Sequence, residues 1–403
     1  MKQLTTFIFL IASILFTACQ KDYNHKTVLC IPVYGQSLAL GEEAERMTDF
    51  DSLSAYADGR IVTENLDHSY GYFDNNNFKH WIKKTIGYQK RAYELSLYKM
   101  AQVLTDQFGE DTLICIFPGG QGATTIANLS KGTVPYQRFI ENILSAYETA
   151  RERGWDFTVP AICWMQGESD IVDNPSTNYH DMLTRILKDM NEDILQITHQ
   201  RDSIPFICYQ ANSLTRAEDF NANSYACHET KVPQTFVNLL CNNNHFWASG
   251  PTYPYTCVNE IIHIDAEGQQ SIGGLAAKSV INIIKNKDRF IGLIPLQTSV
   301  SDNVVTLEFN VPNPPLTLDT IQVRKANLYG FSVINQKDQD IAQSIVIDEN
   351  TIKIQCSESP INCRVRYAVN GDYMKSGNLH GPRGNLRDAT NHWCYQFDIL
   401  SFQ

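Results

Sequence analysis

Apolar positions along the chain follow two rhythms. Up to about residue 289, short unbroken apolar runs alternate with longer stretches of helical spacing. The runs at Val28–Val33, Thr112–Phe117, Val159–Met165, Pro205–Gln210 and Thr235–Leu240 predict strands. Arg91–Phe108, Tyr136–Arg153, Tyr179–His199 and Ala266–Lys285 predict helices. In the first of these, Leu95, Leu97, Met100, Ala101 and Leu104 fall largely on one face. A strand that is apolar at every position is covered on both faces. Such strands alternating with helices predict an α/β fold: a doubly wound parallel sheet of about five strands. Beyond Phe290 the rhythm changes to short alternating stretches, such as Val305–Phe309, Thr351–Ile354 and Arg364–Ala368, separated by Pro, Asn and Gly turns. That pattern predicts a small antiparallel β-sandwich. The expected division is residues 27–289 and 290–403.

The first residues depart from both rhythms. Lys2 gives a positive start, and Leu4 to Phe16 is mostly apolar but short for a bilayer span. The stretch ends Phe16-Thr17-Ala18-Cys19, which resembles a bacterial lipobox. Residues 1–19 are therefore expected to be a lipoprotein signal with Cys19 as the lipidated residue, and 20–26 a tether. No later stretch is apolar enough to span a membrane, so the body is expected to be exported and held to a membrane only by lipid. Export permits disulfides. Of the 11 cysteines, Cys30, Cys115, Cys163 and Cys208 lie in predicted strands and read as buried small hydrophobes. Cys356 and Cys363 flank a short turn and are a candidate staple. A net charge of −11 with no basic block disfavours nucleic acid as a partner.

The chemistry gathers where predicted strands end. Ser37 follows the first strand in Gly35-Gln36-Ser37, with helix-forming sequence behind it. Gly122 follows the second strand, and Gln166-Gly167-Glu168-Ser169-Asp170 the third. Glu260 and His263 stand just before the last helix. In a parallel sheet these strand ends share one rim, the rim at which ligands bind. Acyl transfer needs a nucleophile, a base, a group that orients the base, and donors for an oxyanion. Ser37 is the candidate nucleophile and His263 the candidate base. Glu260, three residues before the histidine, is the candidate orienting acid. The Ser37 and Gly122 N–H groups and the Gln166 side-chain amide are candidate oxyanion donors. Gln36, Gly167 and Glu168 are candidate supporting residues. The polar loop from Glu42 to Gln89 carries Tyr70, Tyr72, Phe73 and Trp81, equally a sugar-pocket wall or a self-packed surface loop. No Cys-x-x-Cys or His-x-x-x-His spacing argues for a metal, and no cofactor motif is present: Gly119–Gly122 lacks the Gly-Lys-Ser/Thr ending of a phosphate loop.

Taken together, GQS, GATTI, WMQGESD and EIIH followed by DAEGQ resemble the motifs of SGNH (GDSL-like) hydrolases. The branch with sialate O-acetylesterases and acetylxylan esterases, carbohydrate esterase family 6, is the most similar. The likeness runs from about Thr27 to Lys285. It implies a flavodoxin-like three-layer α/β/α sandwich and metal-free removal of acetyl groups from sugar hydroxyls. The terminal GPRGNLRDA stretch resembles a β-domain appended to bacterial members. Where the wider family has Gly-x-Asn-Asp this chain has QGES, and where Asp-x-x-His is usual it has Glu260-x-x-His263; the resemblance also allows a Ser37–His263 dyad with a backbone carbonyl behind the histidine in place of Glu260. The expected partner is an acetylated carbohydrate. Aryl or short-chain lipid esters, or glycan binding without catalysis, are the competing expectations. Oligomeric state is left open.

Overall fold

The computed structural model describes residues 25–49, 58–62, 93–173, 178–211, 231–372 and 374–401. Cys19, Cys227, His228 and the aromatic residues at 70, 72, 73 and 81 lie outside them.

The first strand is interrupted at its own proline. β1 (Thr27–Cys30) and β2 (Val33–Gly35) flank Ile31-Pro32. Pro32 has no N–H to give a neighbour, yet its carbonyl still accepts from Cys163 N–H at 2.9 Å. The neighbouring strands break at the same level: β4 (Thr112–Cys115) resumes as β5 (Pro118–Gly120), and β6 (Asp156–Thr158) as β7 (Ile162–Met165). Ile31 N–H to Cys115 O (2.8 Å) and Val33 N–H to Phe117 O (3.1 Å) carry the pairing across the gap. β8 (Phe206–Gln210) and β9 (Phe246–Pro251) complete the sheet, and the short β3 (Ile61–Val62) pairs with β4 at the other edge. Every ladder is parallel. Counting each interrupted strand once and leaving out β3, the order is 2-1-3-4-5, that of flavodoxin-like folds.

β7, β8 and β9 are buried at every residue. Successive side chains point to opposite faces, so both faces are covered. α1 (Ser96–Gln107) packs on α6 (Ala266–Ile281), while α2 (Val134–Glu152) packs on α4 (Tyr179–Thr198), which in turn meets α5 (Lys231–Asn242). Between them, Glu168–Asp173 forms the short α3.

One predicted strand is a helix. Thr235–Leu240 lies inside α5, where Val232, Phe236, Val237, Leu239 and Leu240 form a buried face. The fifth strand is instead Phe246–Pro251, FWASGP, whose small residues and proline disguise it. Its burial comes from its neighbours: Phe246 pairs with Phe206 in register.

The C-terminal part is antiparallel, as expected. β10 (Ile294–Ser301), β11 (Val304–Asn310), β13 (Ala342–Asp348) and β14 (Thr351–Cys356) form one sheet, and β12 (Phe331–Ile334), β15 (Arg364–Tyr367) and β16 (Phe397–Leu400) another. β11 alternates buried Val305, Leu307 and Phe309 with more exposed positions. Phe309 meets Phe397 of the other sheet with ring centroids 6.3 Å apart. A buried polar seam ties this part to the parallel sheet. Gln210 exchanges two hydrogen bonds with the Gln396 backbone (2.8 and 2.7 Å), and Tyr253 OH donates to Cys394 O at 2.8 Å. His392 has Nδ1 2.7 Å from Asp388 Oδ2.

Cys30, Cys163 and Cys208 are buried in strands. Cys356 and Cys363, the candidate staple, are free thiols that each face a backbone carbonyl two residues earlier.

Candidate active site

Three strand ends converge on Gly35. A Cβ added there would stand 1.9 Å from Met165 O of β7. A Cβ added at Gly120 of β5, where φ is +114°, would stand 1.8 Å from Gly35 O. Only glycine permits this approach, and it brings the turns after β2, β5 and β7 side by side.

The turn after β2 is a 3-10 helix, Ser37–Leu40. Gln36 N–H donates to Met165 O (3.0 Å), and Gln36 Oε1 accepts from Ser169 N–H (3.2 Å), joining this turn to the one after β7. Ser37 Oγ lies 2.7 Å from His263 Nε2. His263 stands in the loop just before α6, whose N-cap Asp265 accepts from Gly268 N–H at 2.8 Å. Residues 226 positions apart are thus in hydrogen-bond contact across the rim.

The carboxylate behind the histidine is Glu43, whose Oε2 lies 2.8 Å from His263 Nδ1. Its backbone is left-handed, φ 63°. The following loop is pinned by Glu94, which accepts from Met47 N–H and Thr48 N–H at 2.9 Å each and from Thr48 Oγ1 at 2.5 Å. Sequence reasoning missed Glu43. The available signal was an acidic pair, Glu42-Glu43, one turn past the candidate nucleophile, and the Glu-x-x-His spacing drew attention away from it.

Glu260 takes a different role from the one expected. It pairs with Lys375 Nζ, and its other oxygen is 3.5 Å from His380 Nε2. The lysine hydrogen bond holds its carboxyl below the usual range. Asn259 and Glu260 both have left-handed backbone (φ 54° and 57°), which turns the glutamate away from the imidazole three residues on.

Gln166 also differs from expectation. Its side chain is wholly buried, and Nε2 donates to Asp170 Oδ2 (2.6 Å) and Thr124 O (3.1 Å), while Oε1 accepts from Tyr179 OH (2.8 Å). Asp170 Oδ2 also accepts from Ile126 N–H at 2.8 Å. With both amide ends engaged, Gln166 fixes the Gly122–Ile126 loop and has no hydrogen left for an oxyanion.

Gly122 faces the nucleophile: a Cβ there would meet only Ser37 Cβ, at 3.8 Å. Among the described residues the Ser37 and Gly122 N–H groups have no hydrogen-bond partner. Both residues line a cleft of about 380 Å³ together with Gln36, Glu168, Val172, Ile262 and His263. The Gln36 amide nitrogen has no partner among the described residues. Glu168 is buried in the cleft floor, both of its oxygens 2.6 Å from Tyr209 OH. Burial, only partly offset by that hydrogen bond, pushes its carboxyl up to about 7. A larger cavity of about 450 Å³ opens near Thr158, Gln200 and His245, at the opposite ends of the strands. Among the described residues no group of three or more His, Cys, Asp or Glu is arranged to hold a metal ion.

With this geometry in hand, comparison with known proteins is informative. Residues 100–282 match the family model "Carbohydrate esterase, sialic acid-specific acetylesterase". The match covers under half of the chain. It takes in Gly122, the QGESD turn and His263; Ser37 and Glu43 precede it. A carbohydrate acetylesterase from Xanthomonas citri superposes with a TM-score of 0.63 at 14% identity, covering 92% of this chain and 80% of its own. That alignment is long enough to take in much of the antiparallel part, and at this identity it speaks for the fold alone. A protein from Arabidopsis thaliana (TM-score 0.40, 16% identity, 63% of this chain and 98% of its own) is a more distant likeness. So is the protein NanS (0.42, 12%, 65% and 99%). No curated protein matches the chain.

Proposed function

We propose that this protein is a carbohydrate O-acetylesterase working through a Ser37–His263–Glu43 relay. The observation that carries the reading is the pair of contacts on one imidazole: Ser37 Oγ at 2.7 Å from Nε2, and Glu43 Oε2 at 2.8 Å from Nδ1. A carboxylate on Nδ1 selects the tautomer with hydrogen there, leaving the Nε2 lone pair for the serine proton.

Ser37 Oγ attacks the acetyl carbonyl as His263 takes its proton. The carbonyl electron pair moves to oxygen, where the N–H groups of Ser37 and Gly122 receive it. The Gln36 amide is the side-chain donor in place of Gln166. Collapse of the tetrahedral adduct breaks the ester bond, and the sugar hydroxyl leaves with the proton held on His263. Water then gives a proton to His263 and attacks the acetyl-Ser37 carbonyl; collapse breaks the bond to Ser37 Oγ, which takes the proton back from His263, and acetic acid leaves as acetate and a proton. The match of residues 100–282 to a carbohydrate esterase family model supports acetyl sugars as the substrate class. Acetylated sialic acid and acetylated plant or host polysaccharides are the candidate substrates.

Acetate release from a panel of acetylated sialic acid, xylan and pectin fragments, beside 4-nitrophenyl acetate, tests the reading. Turnover of at least one glycan well above the aryl ester, lost in Ser37→Ala, is expected. Preference for the aryl ester throughout contradicts the sugar assignment. We also propose a lipid-anchored location, which the signal-like sequence of residues 1–19 and its lipobox-like Cys19 support. Palmitate incorporation that disappears in Cys19→Ser tests it, and an unlabelled parent protein refutes it.

A further inference from the structure

We propose that Asp372 and residues 374–380 of the C-terminal part are a clamp that positions His263, with Glu260, Lys375 and Gly377 as its working parts. The inference rests on the reading of His263 as the catalytic base.

The loop that delivers His263 is tied at its base, and its tip adds one short 3-10 turn, with Glu260 N–H donating to Cys257 O (3.0 Å) and Ile261 N–H to Val258 O (3.1 Å). Cys257 bridges Ile264, Val258 N–H donates to His263 O at 2.7 Å, and Asp265 N–H to Thr256 O at 2.9 Å. Its tip contains Asn259 and Glu260, consecutive non-glycine residues with φ of 54° and 57°. Left-handed backbone is tolerated at Asn259 but unfavourable at Glu260, where it persists because the surroundings over-determine it.

Those surroundings are supplied from more than 100 residues away. Ser376 N–H donates to Glu260 O at 2.8 Å, and Asn378 N–H to Tyr255 O at 3.2 Å. Lys375 Nζ holds one Glu260 oxygen, and His380 stands 3.5 Å from the other. His380 is itself backed by Asp372 at 2.7 Å. Gly377 (φ 80°) is the point of nearest approach: a Cβ there would stand 3.0 Å from both Cys257 N and Tyr255 O. The clamp thus grips the tip by backbone and by charge. The next residue but one after Glu260 is Ile262, which lines the cleft, followed by His263 itself.

Glu260 and Lys375 side chains are each 39% exposed, so their charge pair alone contributes modestly. The backbone approach at Gly377 is the stronger lever.

The test is steady-state hydrolysis of 4-nitrophenyl acetate by the full chain, with circular dichroism and melting midpoint as folding controls. Gly377→Ala is expected to lower kcat about thirtyfold, and Glu260→Gln and Lys375→Met about three- to tenfold, with KM within about twofold, because small misplacement of a base costs rate rather than binding. The exchanged pair, Glu260→Lys with Lys375→Glu, is expected to recover most of the loss. The charge-pair variants decide the matter if Gly377→Ala does not fold. Parent kcat in folded Glu260→Gln and Lys375→Met, or a loss that the exchanged pair does not recover, overturns the clamp. Ser37→Ala run alongside separates the two levels. If it is inactive while the clamp variants are normal, the esterase reading stands alone; if it is active, both fall.

Discussion

The turns after β2 and β7 look alike in sequence and do opposite things. Each ends a buried strand, and each carries a glutamine beside a glycine and a serine. After β2, Gln36 and Ser37 face the cleft, and the chain continues to Glu43 at the histidine. After β7, Gln166 turns inward and spends both ends of its amide on Asp170, Thr124 and Tyr179. One turn presents chemistry; the other holds the neighbouring loop in place. A strand end therefore identifies the rim, while the inward partners decide which side chains reach it.

That contrast is sharpest under mutation, beginning with the largest effect. Ser37→Ala is expected to lower kcat by at least about 10⁴-fold with the melting midpoint little changed, since a nucleophile has no substitute. Glu43→Gln is expected to cost about 10²- to 10³-fold, because it removes the carboxylate that stabilises the imidazolium. Glu260→Gln, by comparison, costs tenfold or less on the clamp reading, about ten times or more below the Glu43 effect. Equal losses from the two glutamates contradict the Glu43 assignment.

Gln166→Leu probes the other turn. It strips hydrogen-bond partners from buried groups, and the expected cost is about 2–4 kcal/mol in urea unfolding, with kcat of the folded fraction largely kept. A variant of parent stability but greatly reduced kcat restores Gln166 as an oxyanion donor.

The smallest effect is a pH dependence at Glu168. Its carboxyl is raised to about 7 by burial, above the unfolded value of 4.5, so the folded state holds the proton more tightly. The resulting stability is fully present below the unfolded value and is lost as pH rises through about 7. The loss is about 3 kcal/mol at most. Glu168→Gln is expected to flatten stability between about pH 4.5 and 7, measured by urea unfolding at several pH values. An unchanged slope assigns the dependence to another group.

Much of this was legible from residue order. Unbroken apolar runs gave four of the sheet's strands; the residues at their ends led to Ser37 and Gly122, and the segment just before the last helix led to His263. The fifth strand was hidden because FWASGP owes its burial to the elements around it, while VPQTFVNLL is equally apolar as strand or helix. The acid was hidden for a related reason. Glu260 is the nearer carboxylate in sequence, but two left-handed residues and Lys375 turn it away. Glu43 reaches His263 only through the fold. Local spacing identifies residue types; pairing across 220 positions is decided by topology.

The central claim is that Ser37 is a nucleophile activated by His263. Its most direct test is mass-spectrometric mapping of the adduct formed with a fluorophosphonate. The account predicts one adduct, on the peptide containing Ser37, formed rapidly in the parent and at least about 10³-fold more slowly in His263→Ala. An adduct on another residue, or labelling of Ser37 at the same rate without the histidine, contradicts it.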